Sequence, residues 1–321
     1  MSDTDLLLEP LFAELDLDAA GRRVTAIGGG HGLAVALRAI LEYGDIITAI
    51  VGVSDDGGSS GRLAPALAIP PMGDIRRALL ALSPNPSVWR RLMEFRFGDT
   101  GVDVAGHSLG NLLIAALNEM SGSFEDALNT AGRLLGARGA VVPAASEPLM
   151  LEAEVGGKTV RGQVAIATGR GEIASVRVLP GTARATGAAL AAIASADEIV
   201  LGPGSLFTSV IAGLRVPGIA EAINAARGTL VYVCNLTTQD GETLGMDGTA
   251  HVSALTGIGG VRLPEVIVAH DGPLRVPAGL SRVAIPEKGR GRVVTGDLAD
   301  PAAEWPAHDA ARLGAVLRRL P

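Results

Sequence analysis

The sequence is most restrictive in what it leaves out. A single cysteine, Cys234, stands among 321 residues, which excludes an intramolecular disulfide and a cysteine-rich metal centre. Aromatic residues make up only 3% of the chain, so a composition that is 48% apolar must build its core from Ala, Val, Leu and Ile. No apolar run approaches the roughly 18 residues that a membrane-spanning helix needs. Basic residues are the minority: 27 Lys and Arg against 34 Asp and Glu give a net charge of −7, and no nucleic-acid-binding surface is expected. Residues 1–22 form an acidic N-terminal segment without a basic residue before Arg22, the reverse of a signal peptide. Together these absences predict a cytoplasmic location.

What the chain has in excess is glycine. Its 43 glycines are about twice the usual share of roughly 7%, and they cluster at the ends of apolar runs. Those runs alternate with helical patterns. "RVTAI" (23–27), "DIITAIVGV" (45–53), "AVVPA" (140–144), "EIVL" (198–201), "TLVYVCN" (229–235) and "EVIVA" (265–269) read as strands, the second buried on both faces by its continuous apolar character. Amphipathic segments lie between them, such as "GLAVALRAILEY" with Leu33, Leu37, Ile40 and Leu41 on one side. The alternation predicts one Rossmann-like domain over residues 23–321, a three-layer α/β/α fold with a mostly parallel sheet. Residues from about 146 to 180 differ in texture. "PLMLEAEV", a Gly-Gly turn, "KTVRGQVAIA" and "EIASVRVLP" predict a small β-rich insert of three strands.

In a parallel sheet, ligands gather at the carboxyl ends of the strands, and four loops there carry unusual chemistry. The first, "AIGGGHGL" (26–33), runs a strand into glycines and then a helix, where bare backbone amides suit an anion. The dinucleotide fingerprint fails because Leu33 stands where Gly or Ala is required, and no G-K-[ST] follows. His31 reads either as a phosphate donor or as an ordinary loop residue. The second loop, "VSDDGGSSGRL" (53–63), places Asp55 and Asp56 where carboxylates accept ribose hydroxyls or hold Mg²⁺ against phosphates. Arg62 supplies a fork for phosphate or pairs with one of these acids. Asp74, in "PMGDIRR", reads as a helix N-cap that also faces the strand ends.

The third loop, "GHSLGNLLIAAL" (106–117), puts Asn111 at the mouth of a helix that is apolar nearly all round. The fourth, "LGPGSLFTSV" (201–210), makes a sharp turn at Gly202, Pro203 and Gly204, followed by Ser205 and by Thr208 one turn on. Beyond it, "CNLTTQDGET" (234–243) offers Asn235, Thr237, Thr238 and Gln239, neutral groups suited to a sugar or base. Amides near Gly30 and Gly204 are expected to converge on one diphosphate. No Ser-His-Asp ordering, H-E-x-x-H or C-x-x-C accompanies these loops.

"AIGGGHGL", "TAIVGVSDDGGSSGRL", "GDIRRALLAL", "GHSLGNLLIAAL", "IVLGPGSLFTSVI", "VPGIAEAI" and "VYVCNLTTQDGET", in that order, resemble the gluconeogenesis factor family (YvcK-like). That family is related to the 2-phospho-L-lactate transferases (CofD-like). The resemblance spans nearly all of residues 23–257. It implies a cytoplasmic, Rossmann-like protein that binds a UDP-sugar, UDP-N-acetylglucosamine, and supports cell-wall synthesis and cell shape during gluconeogenic growth. A cell-wall or regulatory protein partner and a homo-oligomer follow as expectations, with no cofactor required.

On this sequence the resemblance marks Gly28, Gly29, Gly30 and Gly32. It also marks Asp55, Asp56, Gly57, Gly58, Ser59, Ser60, Gly61 and Arg62. Asn111, Gly202, Pro203, Gly204 and Ser205 complete the set. His31 stands where the family usually has Thr, Met72 replaces a usual proline, and Ala212 and Gly213 depart from a common Pro-Asn pair. The alternative is the related branch's activity: Mg²⁺-dependent transfer of 2-phospholactate from a guanosine diphosphate carrier to a deazaflavin alcohol. Asp55, joined by Asp56 or Asp74, would then hold the metal.

Overall fold

The computed structural model describes residues 21–84, 88–98, 101, 103–287, 289 and 291–320. Residues 1–20, almost all of the acidic segment, lie outside them. In chain order the first half comprises β1 (Arg23–Gly28), α1 (Gly30–Ile40), β2 (Ile46–Val51), α2 (Gly58–Leu67), α3 (Gly73–Leu82), α4 (Val88–Glu94), α5 (Leu109–Ser121), α6 (Phe124–Leu135) and β3 (Ala140–Pro143). An insert follows: β4 (Met150–Val155), β5 (Lys158–Arg161), α7 (Gln163–Ala167) and β6 (Ile173–Leu179). The second half begins with α8 (Gly187–Ser195), β7 (Glu198–Leu201), a π-helical turn (Leu206–Ile211) and α9 (Ile219–Ala225). It ends with β8 (Thr229–Val233), α10 (Gly248–Gly257), β9 (Val266–His270), β10 (Arg292–Gly296) and α11 (Ala310–Leu317).

Seven strands form the main sheet in the order β3-β2-β1-β7-β8-β9-β10, and every pairing is parallel. The chain starts mid-sheet at β1 and winds outward through β2 and β3. It then returns to β7, on the other flank of β1, and winds the opposite way. The β1–β7 seam is therefore the point at which such a sheet opens a crevice. Register keeps the ends level, since Ile27 pairs with both Ile50 and Leu201. The loops after β1, β2 and β7 thus leave the same edge together.

The core follows from the shortage of rings. Ala26, Ile27, Ala49, Ile50, Val200 and Leu201 are fully buried along the sheet, and Leu33, Leu37 and Ile40 of α1 pack on it as their spacing predicts. The insert is a separate antiparallel sheet, β5-β4-β6, whose Gly156-Gly157 turn has positive φ at both residues, as a two-residue hairpin of this hand demands. Among the described residues no single helix is long and apolar enough to cross a membrane.

Three segments depart from the pattern reading. The glycine-rich stretch after β2 is not all loop, because α2 begins inside it. A Cβ on Gly61 would lie 2.0 Å from the Asp56 carbonyl oxygen, so this turn closes only around glycine. "KTVRGQVAIA" is not one strand: Gly162, at φ 96°, ends β5, and α7 follows. β10 has no buried residue along its length, which hid it from a search for apolar runs.

Two histidines, His251 fully buried and His308 half-buried, make acid sensitivity testable. His251, with no exposure, places Nδ1 3.2 Å from the Tyr232 hydroxyl, and burial pulls its pKa down to about 4. Burial does the same to His308, also to about 4. Both stay neutral in the fold while the unfolded chain takes up protons near pH 6.5. Their contribution is therefore present above that pH and lost as pH falls toward 4, by roughly 3 kcal/mol per histidine at most. Glu242 and Glu198, whose pKa values burial raises, act in the opposite sense. Melting curves from pH 7 to pH 4 should show a steep loss that His251→Gln makes shallower. An unchanged slope in that variant would contradict the assignment.

Candidate functional site

A cleft of about 1010 Å³ opens over the carboxyl ends of the central strands. At its floor the turns after β1 and β7 meet. Gly29 is extended and Gly30, at φ +65, opens α1. A Cβ on Gly32 would stand 2.2 Å from the Pro203 carbonyl oxygen, and one on Gly204 would stand 3.5 Å from that of Gly29. The two turns therefore share one side of the sheet and touch, as the sequence predicts.

Their amides are not bare, however. Gly30 N–H donates to Asp74 Oδ2 at 2.8 Å, and Gly204 N–H donates to Asn235 Oδ1 at 3.1 Å. The start of the π-helical turn is filled as well. Glu242 Oε2 accepts from the Phe207 and Thr208 amides at 3.0 and 3.3 Å, and Oε1 accepts from the Thr208 hydroxyl at 2.6 Å. The expected second anion cradle is thus occupied by the protein's own carboxylate, because a buried helix start needs acceptors.

Of the residues expected at a ligand, Gly29, Gly30, His31, Gly32, Asp55, Gly57, Gly58, Ser59, Ser60, Asn111, Pro203, Gly204, Ser205 and Asn235 line the cleft. Six do not. Gly28 ends β1, and its carbonyl accepts from Gly52 N–H. Gly61 lies under Asp56, and Gly202 turns the chain with positive φ beside Val233. Asp56 is exposed, and its Oδ1 accepts from Val164 N–H at 3.1 Å, tying the insert to the glycine segment. Arg62 donates to the Ala105 carbonyl, away from the cleft. Thr208 is committed to Glu242. Asp74 is not an N-cap but the second residue of α3, where Met72 caps without a side-chain bond.

The acidic side of the cleft is Asp55 and Asp74. Asp55 accepts from Gly57 N–H at 3.0 Å, yet burial, reinforced by Asp74, holds its pKa above the ordinary carboxylate value. Asp74 also pairs with Arg77. Partial desolvation and the nearby Arg77 lower the His31 pKa from its ordinary value. Among the described residues, no group of three or more His, Cys, Asp or Glu is arranged for a metal.

A buried polar network backs this side. Ser59 Oγ lies 3.0 Å from His107 Nδ1 and accepts from Asn111 Nδ2 at 3.1 Å. Asn111 Oδ1 accepts from Arg76 Nε at 3.0 Å, and Arg76 also donates to the Met93 carbonyl at 3.1 Å. Burial first, then Arg77 and Arg96, pushes the Arg76 pKa down to about 10. Opposite stands a neutral wall: Gln239 bonds both Asn235 and Ser205, with Thr237 and Thr238 beside it.

The pattern reading missed Arg76, Arg77, Arg96, Gln163 and the strap formed by Ala278–Leu280 and Trp305–His308, all of which line the cleft. Arg76 carried a signal, since it is a charged residue on an otherwise buried helix. Trp305 carried another, as one of only two tryptophans.

A doubly wound parallel sheet with glycine turns meeting in a polar cleft at its switch point defines a Rossmann-like α/β protein with one candidate ligand cleft at the strand ends. The family model described as "2-phospho-L-lactate transferase CofD" matches residues 24–284. The gluconeogenesis factor of Bacillus subtilis is 43% identical over 234 residues, covering 73% of this chain and 74% of the relative. That of Halalkalibacterium halodurans is 41% identical over 254 residues, 79% of each chain. A crystal structure of a Bacillus halodurans protein superposes with a TM-score of 0.87 at 35% identity, covering 93% of this chain and all of that one. The chain belongs to the CofD family and, within it, to the gluconeogenesis factors.

Proposed function

We propose that the cleft binds a nucleotide sugar, UDP-N-acetylglucosamine, without turning it over. Binding would couple carbon supply during gluconeogenic growth to cell-wall synthesis and cell shape through a protein partner. One observation carries the reading: a single cleft joins an arginine-rich side to a wall of neutral amides and hydroxyls over touching glycine turns. Phosphates suit the first and a sugar or base the second. Isothermal titration with UDP-N-acetylglucosamine should give a saturable signal at one ligand per chain. A folded sample that gives no heat ends the proposal. Asp56→Ala should leave the affinity within about twofold, as for other exposed side chains outside the contact, whereas Asp55→Ala should change it more.

The competing reading is the Mg²⁺-dependent transferase, favoured by the family model's description and by Asp55 facing the cleft. Asp74 is already engaged, so Asp55 would hold the ion, with substrate phosphates supplying further oxygens. Formation of a phospholactyl deazaflavin product that requires Mg²⁺ would establish this activity and displace the non-catalytic reading.

A further inference from the structure

Arg76 is only 9% exposed, yet it makes no ion pair among the described residues. Its hydrogen bonds end on neutral acceptors, Asn111 and the Met93 carbonyl, and its charged neighbours are two cations, Arg77 and Arg96, and two carboxylates out of ion-pair contact, Glu94 and Asp74. A buried guanidinium whose direct partners are uncharged loses hydration that Glu94 and Asp74 offset only in part. An anion entering the cleft offsets it. Arg77, by contrast, is already paired with Asp74.

The other end of the cleft carries the opposite character. Trp305, 62% exposed, stands on the strap that follows β10, and the neutral wall stands after β8. Arg76 stands on α3, the second helix after β2. From β2 to β8 there are three strand spacings across the sheet, about 14 Å in all. That separation of β2 from β8, the strand that leads into the neutral wall, leaves room for a nucleoside diphosphate laid lengthwise and exceeds a lone phosphate.

We propose that Arg76 anchors the diphosphate and that the ligand lies across the sheet with its base stacked on Trp305. This rests on the nucleotide-sugar reading above and fixes its direction, which makes Arg76 and Trp305 specificity-determining residues.

A Trp89→Phe background leaves Trp305 as the sole tryptophan. In it, uridine diphosphate should change Trp305 fluorescence and inorganic pyrophosphate should not. By calorimetry, Arg76→Gln should weaken both probes by about 10- to 100-fold, the worth of a charge-assisted hydrogen bond. Trp305→Ala should weaken uridine diphosphate alone, by about 5- to 100-fold. Should Arg76→Gln fail to fold by circular dichroism, Arg76→Lys keeps the charge without the planar fork and must show the same direction of loss.

Pyrophosphate binding that ignores Arg76 overturns the anchor. An equal fluorescence response to both probes overturns the stacking. Uridine diphosphate that binds while ignoring both residues overturns this orientation and leaves the nucleotide-sugar reading standing. Arg76-dependent pyrophosphate binding with no response to uridine diphosphate ends that reading, and the stacking with it, and retains only the anchor.

Discussion

Gly32→Ala is expected to abolish ligand binding and to lower the melting midpoint by about 5 °C or more, an overpacking cost of about 3 kcal/mol. The new methyl group would meet the Pro203 carbonyl oxygen at 2.2 Å, its carbonyl carbon at 2.5 Å and Gly204 Cα at 2.7 Å. All three are backbone atoms, so no rotamer change relieves the clash. The first turn of α1 must then move off the turn after β7, and these two segments form the cleft floor. Thermal melts and titration of the same sample test both halves of the expectation. A variant that melts and binds like the wild type would falsify the contact.

Glu242→Ala should be nearly as damaging, for an electrostatic reason. Its carboxylate, only 8% exposed, serves three donors at the start of the π-helical turn: the Phe207 amide, the Thr208 amide and the Thr208 hydroxyl. Phe207 and Thr208 are themselves buried, so the orphaned groups find no water. The loss should reach about 3–5 kcal/mol. Glu242→Gln retains an acceptor and should lose about half as much, chiefly the interaction of the charge with the helix start. Chemical denaturation of the three proteins should rank them wild type, Gln, Ala. Equal midpoints for the Ala variant and the wild type would remove Glu242 from this role.

What was legible in the sequence follows from where information is local. Strands buried on both faces leave continuous apolar runs, so β1, β2, β7, β8 and β9 were readable, and Gly156-Gly157 announced its hairpin. The exposed edge strand β10 left no such run. The glycine turns were readable as turns, and their meeting followed from strand order. Their hydrogen-bond partners were not. Asp74 reaches Gly30 from 44 residues away, and Glu242 reaches Thr208 from 34. No local pattern states that a cradle is already filled. The importance of Arg76 is likewise tertiary, because an arginine in an amphipathic helix normally faces water, and only packing by Asn111 and Met93 encloses it.

Asp74 holds the floor of the cleft at rest through the Gly30 amide. Because its carboxylate rests on the Gly30 amide, a phosphate arriving there would exchange one anion for another and would not fill a vacancy. A multivalent guest that also recruited the arginines would win that exchange, so the proposed ligand would have to be heavily charged to displace the resting contact.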